Sequence, residues 1–124
     1  MKYLLDTNSC IYLLAGTFPN LTRRVSEMPE GSLAISVISY AEMALGTHNG
    51  KPPAPELLAA FVEELPVVDF DRAAAECYAR IPFRRGSFDR LLAAHAISLG
   101  VPLISRNERD FAGIPGLEVE NWTK

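Results

Sequence analysis

This sequence of 124 residues has few of the residues on which several protein classes depend. Its two cysteines, Cys10 and Cys77, do not form a CxxC or other metal-ligand spacing, which argues against a disulfide framework and a cysteine zinc site. No apolar run is long enough to span a bilayer, because Asp6 and Asn8 interrupt the N-terminal one. We therefore expect a cytoplasmic protein with no membrane segment, whose core needs no disulfide or structural metal.

The chain also lacks the excess of positive charge that is common on nucleic-acid-binding proteins. Its formal net charge is −3, which argues against binding of nucleic acid by overall attraction alone. The charge is unevenly distributed, because six arginines and only three acidic residues lie between positions 80 and 110. This stretch is either a local phosphate-binding region or a solvated helix face, and composition leaves both possibilities open.

The length predicts one domain over residues 1–124, and the apolar pattern predicts strands that alternate with helices. Gly46 is predicted to end the third helix as a left-handed cap, and Ser87 to cap the last long one. Such alternation is typical of an α/β fold whose parallel sheet is covered on both faces. The strands are predicted at 2–5, 32–36, 66–70, 101–105 and within 116–122, and the helices at 8–15, 21–28, 39–46, 56–65, 71–81 and 88–100.

Acidic residues follow several of these strands or open the helices after them. Asp6 follows the first strand, Glu42 and Asp89 lie near the starts of helices, and Asn107 and Asp110 follow the fourth strand. In open parallel sheets, ligand sites form beyond the carboxyl ends of the strands, at the point where the strand order reverses. We therefore expect these carboxylates to converge at that edge.

Each acid also has an explanation that requires no catalysis. Ser39 and Glu42 match a capping box, and Asp89 can complement a helix dipole. Asp6 can cap the first helix, and Asp110 can belong to an Asx-type turn. Helix starts favour acidic residues in any protein, so the pattern alone leaves capping and a site both open.

The chemistry of such a cluster would be restrictive. Adjacent carboxylates repel one another, and their pKa values rise unless a cation neutralises them. Oxygen ligands without histidine or cysteine suit Mg²⁺ or Mn²⁺ rather than zinc. A metal ion held in this way can activate water and stabilise charge that develops on a phosphodiester, and the sequence leaves open whether one or two ions bind.

Five segments resemble, in order and spacing, the PIN-domain toxins of the VapC type. They are "LLDTN", "ISVISYAEMALG", "GSFDRLLAAHAISLG", "LISRNERDF" and "IPGLEVENW". The resemblance implies a three-layer α/β/α PIN-like domain with a central, mostly parallel sheet. It also implies a toxin of a type II toxin–antitoxin system, a Mg²⁺- or Mn²⁺-dependent endoribonuclease that pairs with a VapB-type antitoxin and forms a homodimer.

The same resemblance assigns roles to individual residues. Asp6, Glu42 and Asp89 would bind the metal, and Asp110 would complete the catalytic set. Many relatives have a second acid where Asn107 stands, so this residue is expected to act through water. Thr7 and Asn8 would orient the first carboxylate or a metal-bound water. Thr7, Asn8 or Ser9 is expected to start the first helix, which leaves Asp6 for the metal.

Two further predictions concern residues around Asp89. Arg84, Arg85 and Arg90 are candidates for contacts to RNA phosphates, with a solvated basic turn as the alternative. His95 follows Asp89 by six residues, or about 600° of helix, so it is expected in the core or behind the site rather than as a catalytic base. The alternative function is a catalytically weak PIN-like module that acts mainly within an antitoxin–DNA complex.

Overall fold

Five short strands form one parallel sheet in a computed structural model that describes residues 1–82 and 88–124. The strand order is β3-β2-β1-β4-β5, and each neighbouring pair is parallel. The parallel sheet predicted from the sequence is therefore confirmed. The strands are β1 (Tyr3–Leu5), β2 (Leu33–Ser36), β3 (Val67–Val68), β4 (Leu103–Ile104) and β5 (Val119–Glu120).

Helices connect the strands, and in the described residues none is long and apolar enough to cross a membrane. Gly16 and Gly100 lie in the left-handed region with φ of 68° each, so they end the first and the sixth helix as glycine commonly does. The helices are α1 (Thr7–Ala15), α2 (Pro19–Glu27), α3 (Val37–His48), α4 (Pro55–Glu64), α5 (Arg72–Arg80), α6 (Phe88–Leu99) and α7 (Glu108–Phe111).

The two faces of the sheet bury two separate hydrophobic cores. Alternate residues of a strand point to opposite faces. In β1, Leu5 packs into the core formed with α1 to α4, whereas Leu4 packs into the core beneath α6 and α7. In β4, Ile104 and Leu103 divide in the same way. The three-layer α/β/α arrangement is thus confirmed.

The order in which successive strands are added to the sheet reverses at β1. The chain adds β2 and β3 on one side of β1, and then returns to place β4 on the other side. The segments after β1 and β4 consequently diverge to opposite faces and leave a crevice at the carboxyl edge. This is the position at which α/β sheets bind ligands.

The third helix departs from the sequence prediction at both ends. Its N-cap is Ser36, whose Oγ accepts a hydrogen bond of 3.0 Å from the Ile38 amide, so Ser39 and Glu42 do not form a capping box. The helix continues through Gly46 to His48, so the predicted cap at Gly46 is wrong, and a glycine with φ of 78° follows at position 50. The last residue of β2 is already positioned to start the helix, which moves the helix start three residues upstream. The predicted N-cap Ser87 lies outside the described residues.

Candidate active site at the carboxyl edge of the sheet

Asp6 lies at the centre of the sheet edge, directly after β1, and only 4% of its surface is exposed. Its Oδ1 accepts a hydrogen bond of 2.7 Å from the Ser9 amide, which makes Asp6 the N-cap of α1. The prediction that Thr7, Asn8 or Ser9 would be the cap in its place is therefore wrong, although α1 does begin at Thr7. Asp6 has an extended backbone while Thr7 is already helical. An ionised carboxylate has about four acceptor positions, so capping does not exhaust its capacity for ligands.

Burial raises the pKa of the Asp6 carboxyl above its ordinary value. Hydrogen bonds from the Ser105 side chain and from the Ser9 amide oppose the rise without cancelling it. Ser105 directly follows β4 and is fully buried. A buried carboxylate whose charge is only partly compensated is a group that a cation would stabilise.

Glu42 is half-buried on α3 and is held by α1. The Thr7 hydroxyl lies 2.6 Å from Glu42 Oε1 and 3.0 Å from Ser39 Oγ. A threonine hydroxyl has one proton, so when it is donated to Glu42, the Ser39 hydroxyl must donate to Thr7. Thr7 was predicted to orient Asp6 or a metal-bound water; its hydrogen bonds connect it to Glu42 instead.

Asp89 lies in the first turn of α6 and is half-buried. Burial is the largest cause of its raised pKa, followed by the negative charges of Asp6, Asp110 and Glu42, in that order. Asp89 therefore experiences the fields of the other three predicted acids. The fold brings these four carboxylates from β1, α3, α6 and α7 into one electrostatic cluster.

Asp110 is exposed on α7, and Asn107 fixes its side chain. Asn107 Nδ2 donates a hydrogen bond of 2.7 Å to Asp110 Oδ2, and its backbone amide donates one of 3.0 Å to Ser105 Oγ. Ser105 is thus bonded to Asp6 on one side and to the Asn107 backbone on the other. Sequence reasoning missed Ser39 and Ser105, although both lie within three residues of the carboxyl end of a predicted strand.

The remaining predicted residues are less closely joined to the cluster. The Asn8 side chain is exposed and makes no hydrogen bond within residues 1–82 and 88–124. The Arg90 guanidinium donates a hydrogen bond of 2.6 Å to the Pro82 carbonyl, which ties it to the end of the preceding segment. Arg84 and Arg85 lie outside the described residues.

The donor set of the acidic cluster consists of carboxylate oxygens, which suits a divalent ion. No three Asp, Glu, His or Cys side chains of the described ranges are arranged as a ready ligand group. Two of the carboxylates accept hydrogen bonds from neighbouring side chains, Glu42 from Thr7 and Asp110 from Asn107. Burial raises the pKa of the Asp6 and Asp89 carboxyls, which a cation would oppose. Carboxylate oxygens fit Mg²⁺ or Mn²⁺, and the side chains that could hold such an ion are those of Asp6, Glu42, Asp89 and Asp110.

Comparison with known proteins gives matches over nearly the whole chain. A model of the PIN domain matches residues 3–117. The chain is 30% identical to the tRNA(fMet)-specific endonuclease VapC of Shigella flexneri, and the match covers 99% of each protein. It is 34% identical to Ribonuclease VapC1 of Haemophilus influenzae strain R2866, with 100% of each covered.

Solved structures agree with this result. VapBC2 of Rickettsia felis, bound to a DNA fragment from its promoter, superposes with a TM-score of 0.85 at 28% identity, and covers 98% of this chain and 99% of that one. DNA-bound VapBC of Salmonella typhimurium gives a TM-score of 0.81 at 32% identity, with 98% of each chain covered. With the family model and the curated relatives both spanning nearly all of its residues, the chain belongs to the PIN-domain family, in the group of VapC ribonucleases.

Proposed function

We propose that residues 1–124 form a single PIN domain that acts in the cytoplasm as the toxin of a type II toxin–antitoxin system. Its activity is endonucleolytic hydrolysis of RNA, with Mg²⁺ or Mn²⁺ bound by Asp6, Glu42 and Asp89. The observation that carries this proposal is the placement of four acids at one edge of the sheet, where burial raises the pKa of Asp89 and the charges of Asp6, Asp110 and Glu42 raise it further. Relatives that are named ribonucleases and match along the whole chain support the same activity.

The ion, when bound, supplies a more acidic water and a positive charge beside the scissile phosphate. The chain supplies the positioning. Thr7 holds the Glu42 carboxylate from α1, and Ser9 and Ser105 hold Asp6 from both sides. These hydrogen bonds restrict each acid to a narrow range of positions before the substrate arrives, which lowers the reorganisation needed during the reaction.

Asp110 has a different role because it is exposed at the mouth of the crevice. Its carboxylate is held by Asn107 and is open to solvent, so it can accept a proton from the attacking water and pass it to bulk water. Attack by water on the phosphorus leaves a 5′-phosphate on one RNA fragment and a 3′-hydroxyl on the other. Arg84, Arg85 and Arg90 are proposed to contact the RNA backbone beside this site.

The activity can be tested with pure protein free of antitoxin, structured RNA, and Mg²⁺ or Mn²⁺. We expect Asp6→Asn and Asp89→Asn each to lower the cleavage rate about a hundredfold or more, as loss of a group that stabilises a transition state commonly does. Asp71→Asn is the matched control. Asp71 is also an N-cap aspartate, bonded to the Ala74 amide at 3.0 Å, and it caps α5 outside the acidic cluster.

Two outcomes would contradict the proposal. Equal cleavage by the wild type, Asp6→Asn and Asp89→Asn would remove the acidic cluster from catalysis. No cleavage by the wild type under any of these conditions would favour the alternative, a catalytically weak module that acts within an antitoxin–DNA complex. In the two solved structures named above VapBC is bound to DNA, which is the kind of complex that this alternative requires.

A VapB-type antitoxin is the proposed protein partner, and a homodimer is the proposed assembly. An open groove of about 810 Å³ lies between α1, α2 and α4, and none of the four acids lines it. Its described lining includes Leu13, Val25, Leu57 and Phe61, together with three glutamates and no basic residue. Such a groove fits an apolar antitoxin segment that carries lysine or arginine, because apolar area and opposite charge are then both complementary.

A further inference from the structure

His95 is a buried polar residue that the proposed reaction does not use. It lies in the middle of α6 with 1% of its surface exposed, as the sequence predicted for a core position. Its Nδ1 lies 2.8 Å from the Oγ of Ser36, which is also fully buried. Ser36 is the last residue of β2 and the N-cap of α3, so this contact joins α6 to the start of α3.

The second ring nitrogen of His95, Nε2, lacks a well-formed hydrogen bond in the described part of the chain. Burial lowers the pKa of the His95 imidazole, although the charge of Asp71 and the carbonyl of Asp69 oppose this. Within residues 1–82 and 88–124, Nε2 is the buried side-chain nitrogen that has no partner in hydrogen-bond geometry. An apolar side chain would fill the same space without an unpaired nitrogen, so packing alone does not explain a histidine here.

Each residue of this contact lies on the same helix as one of the acids, or at its N-cap, and six positions from it in the sequence. Asp89 precedes His95 by six residues on α6, and Glu42 follows Ser36 by six residues on α3. Six residues of helix correspond to about 9 Å, or fewer than two turns. A fixed point between α3 and α6 therefore constrains where both helices place their carboxylates.

Other contacts make the fixed point rigid. The His95 ring packs edge-on against Phe70, which follows β3, with centroids 5.4 Å apart and an angle of 74°. The Ser36 hydroxyl accepts from the Ile38 amide at 3.0 Å while it contacts His95. One imidazole thus joins α6, the β2–α3 junction and the end of β3.

We propose that His95 is a positioning residue that sets the separation of Asp89 and Glu42 through its hydrogen bond with Ser36. The role rests on the proposed function, since it concerns the geometry of the proposed metal site. His95 holds the two helices at the spacing that a shared divalent ion requires. Loss of the bond lets α6 shift relative to α3 and weakens metal binding without removing any ligand.

The test measures the melting temperature as a function of Mn²⁺ concentration in the absence of RNA. His95→Leu fills the ring's space but cannot bond to Ser36, and we expect its half-saturating Mn²⁺ concentration to rise about tenfold, as for other residues that orient metal ligands. His95→Asn places an amide where Nδ1 lies, and its half-saturating concentration should stay close to that of the wild type. Ile114→Ala, in the same core beneath α6 and α7, controls for lost packing.

A second variant removes the bond from its other end. Ser36→Gly retains a residue that is tolerated at an N-cap but lacks the hydroxyl, and it should raise the half-saturating concentration as His95→Leu does. If His95→Leu does not fold, Ser36→Gly tests by itself whether the bond between His95 and Ser36 affects Mn²⁺ binding. The Ile114→Ala variant should melt at a lower temperature and keep the Mn²⁺ dependence of the wild type.

The outcomes separate this role from the proposed function. A wild-type chain whose melting temperature does not respond to Mn²⁺ would overturn the metal site itself, and the role of His95 with it. If the wild type responds, and His95→Leu and Ser36→Gly half-saturate at the same Mn²⁺ concentration as the wild type, only the role of His95 is overturned. A His95→Asn variant as weak in metal binding as His95→Leu would also overturn that role, because the Ser36 contact would then not be the cause.

Discussion

At the scale of single residues, Asp6 combines a helix cap with a place in the acidic cluster. Its Oδ1 accepts from the Ser9 amide at 2.7 Å, and the same carboxyl is almost fully buried. The cap stabilises the start of α1, whereas burial of the charge disfavours the ionised form. The protein therefore holds at its sheet edge a carboxylate whose ionised form is made costly by burial.

This cost predicts a pH-dependent effect of Asp6→Asn in buffer with a chelator. The folded-state pKa of Asp6 is raised above the ordinary value of 3.8. The associated stability is complete below that value and is lost as pH rises through the folded-state pKa. Asparagine caps as well as aspartate and carries no charge. We expect the variant to unfold at higher urea concentration than the wild type at pH 7, and this advantage to shrink as the pH is lowered towards about 4.

Urea denaturation of both proteins across that pH range measures the difference in free energy of unfolding. Asp71→Asn, at the exposed N-cap of α5, controls for the change of capping group. An advantage of Asp6→Asn that stays constant between pH 7 and pH 4 would mean that burial of the Asp6 charge is not its source. Addition of Mn²⁺ at pH 7 should reverse the order of the two proteins, because only the wild type has the full ligand set.

At the scale of elements, hydroxyl groups join α1 to α3 where both helices leave the sheet edge. Thr7 on α1 lies within hydrogen-bond distance of Glu42 and of the fully buried Ser39 on α3. Such a bond fixes the start of α1 relative to α3 and restrains the Glu42 carboxylate. The loss of one hydroxyl would leave both partners without their hydrogen bond.

Thr7→Val is the substitution that isolates this connection, since it keeps the shape and removes the hydroxyl. We expect it to lower the free energy of unfolding by about 1–3 kcal/mol, the range for a buried polar group left without its partner. Cleavage activity should also fall, because Glu42 loses its restraint. Chemical denaturation measures the first effect and an RNA cleavage assay the second.

Thr22→Val is the matched control for that experiment. The Thr22 hydroxyl is exposed on α2 and makes only a bond of 3.4 Å to the Phe18 carbonyl. Its replacement should change stability by no more than about 0.5 kcal/mol, as is usual for surface sites. If Thr7→Val and Thr22→Val lose the same free energy of unfolding, the contact between α1 and α3 contributes no more to stability than the exposed Thr22 hydroxyl does.

At the scale of the whole molecule, the proposed active site and the proposed antitoxin groove are separate surfaces. The groove between α1, α2 and α4 is lined by apolar side chains and by Glu30, Glu63 and Glu64. The four acids at the sheet edge are not among its lining residues. A variant can therefore impair one surface and leave the other intact.

Leu57→Lys tests the groove, because Leu57 is 53% exposed and its replacement does not disturb the core. We expect the affinity for the cognate antitoxin, measured by calorimetry, to fall about tenfold or more, since a charge is placed in an apolar interface. RNA cleavage by the free toxin should remain at the wild-type level. Leu45→Lys is the control: Leu45 is 62% exposed on α3 and does not line the groove. An equal loss of antitoxin binding in both variants would place the partner elsewhere.

The sequence by itself determined the order of the strands and of the six longer helices, the parallel sheet and the positions of the acids after strands and at helix starts, whereas the short helix α7 is absent from the prediction. Alternation of apolar residues and the positions of Gly16 and Gly100 depend on neighbours a few residues apart, so they can be read without a fold. Local rules also produced the errors. A capping box at Ser39 and a cap at Gly46 are both plausible in isolation, but β2 delivers Ser36 to the helix start and moves the element upstream.

Only the tertiary structure decided which side chains hold the acids. Thr7 contacts Glu42 across 35 residues of sequence, and Ser36 contacts His95 across 59. These pairs are set by strand order, since α3 and α6 meet only after the chain has crossed the sheet. The sequence therefore determines which groups can do the chemistry. The fold determines which hydroxyls and which imidazole orient them, because these contacts depend on topology and not on local spacing.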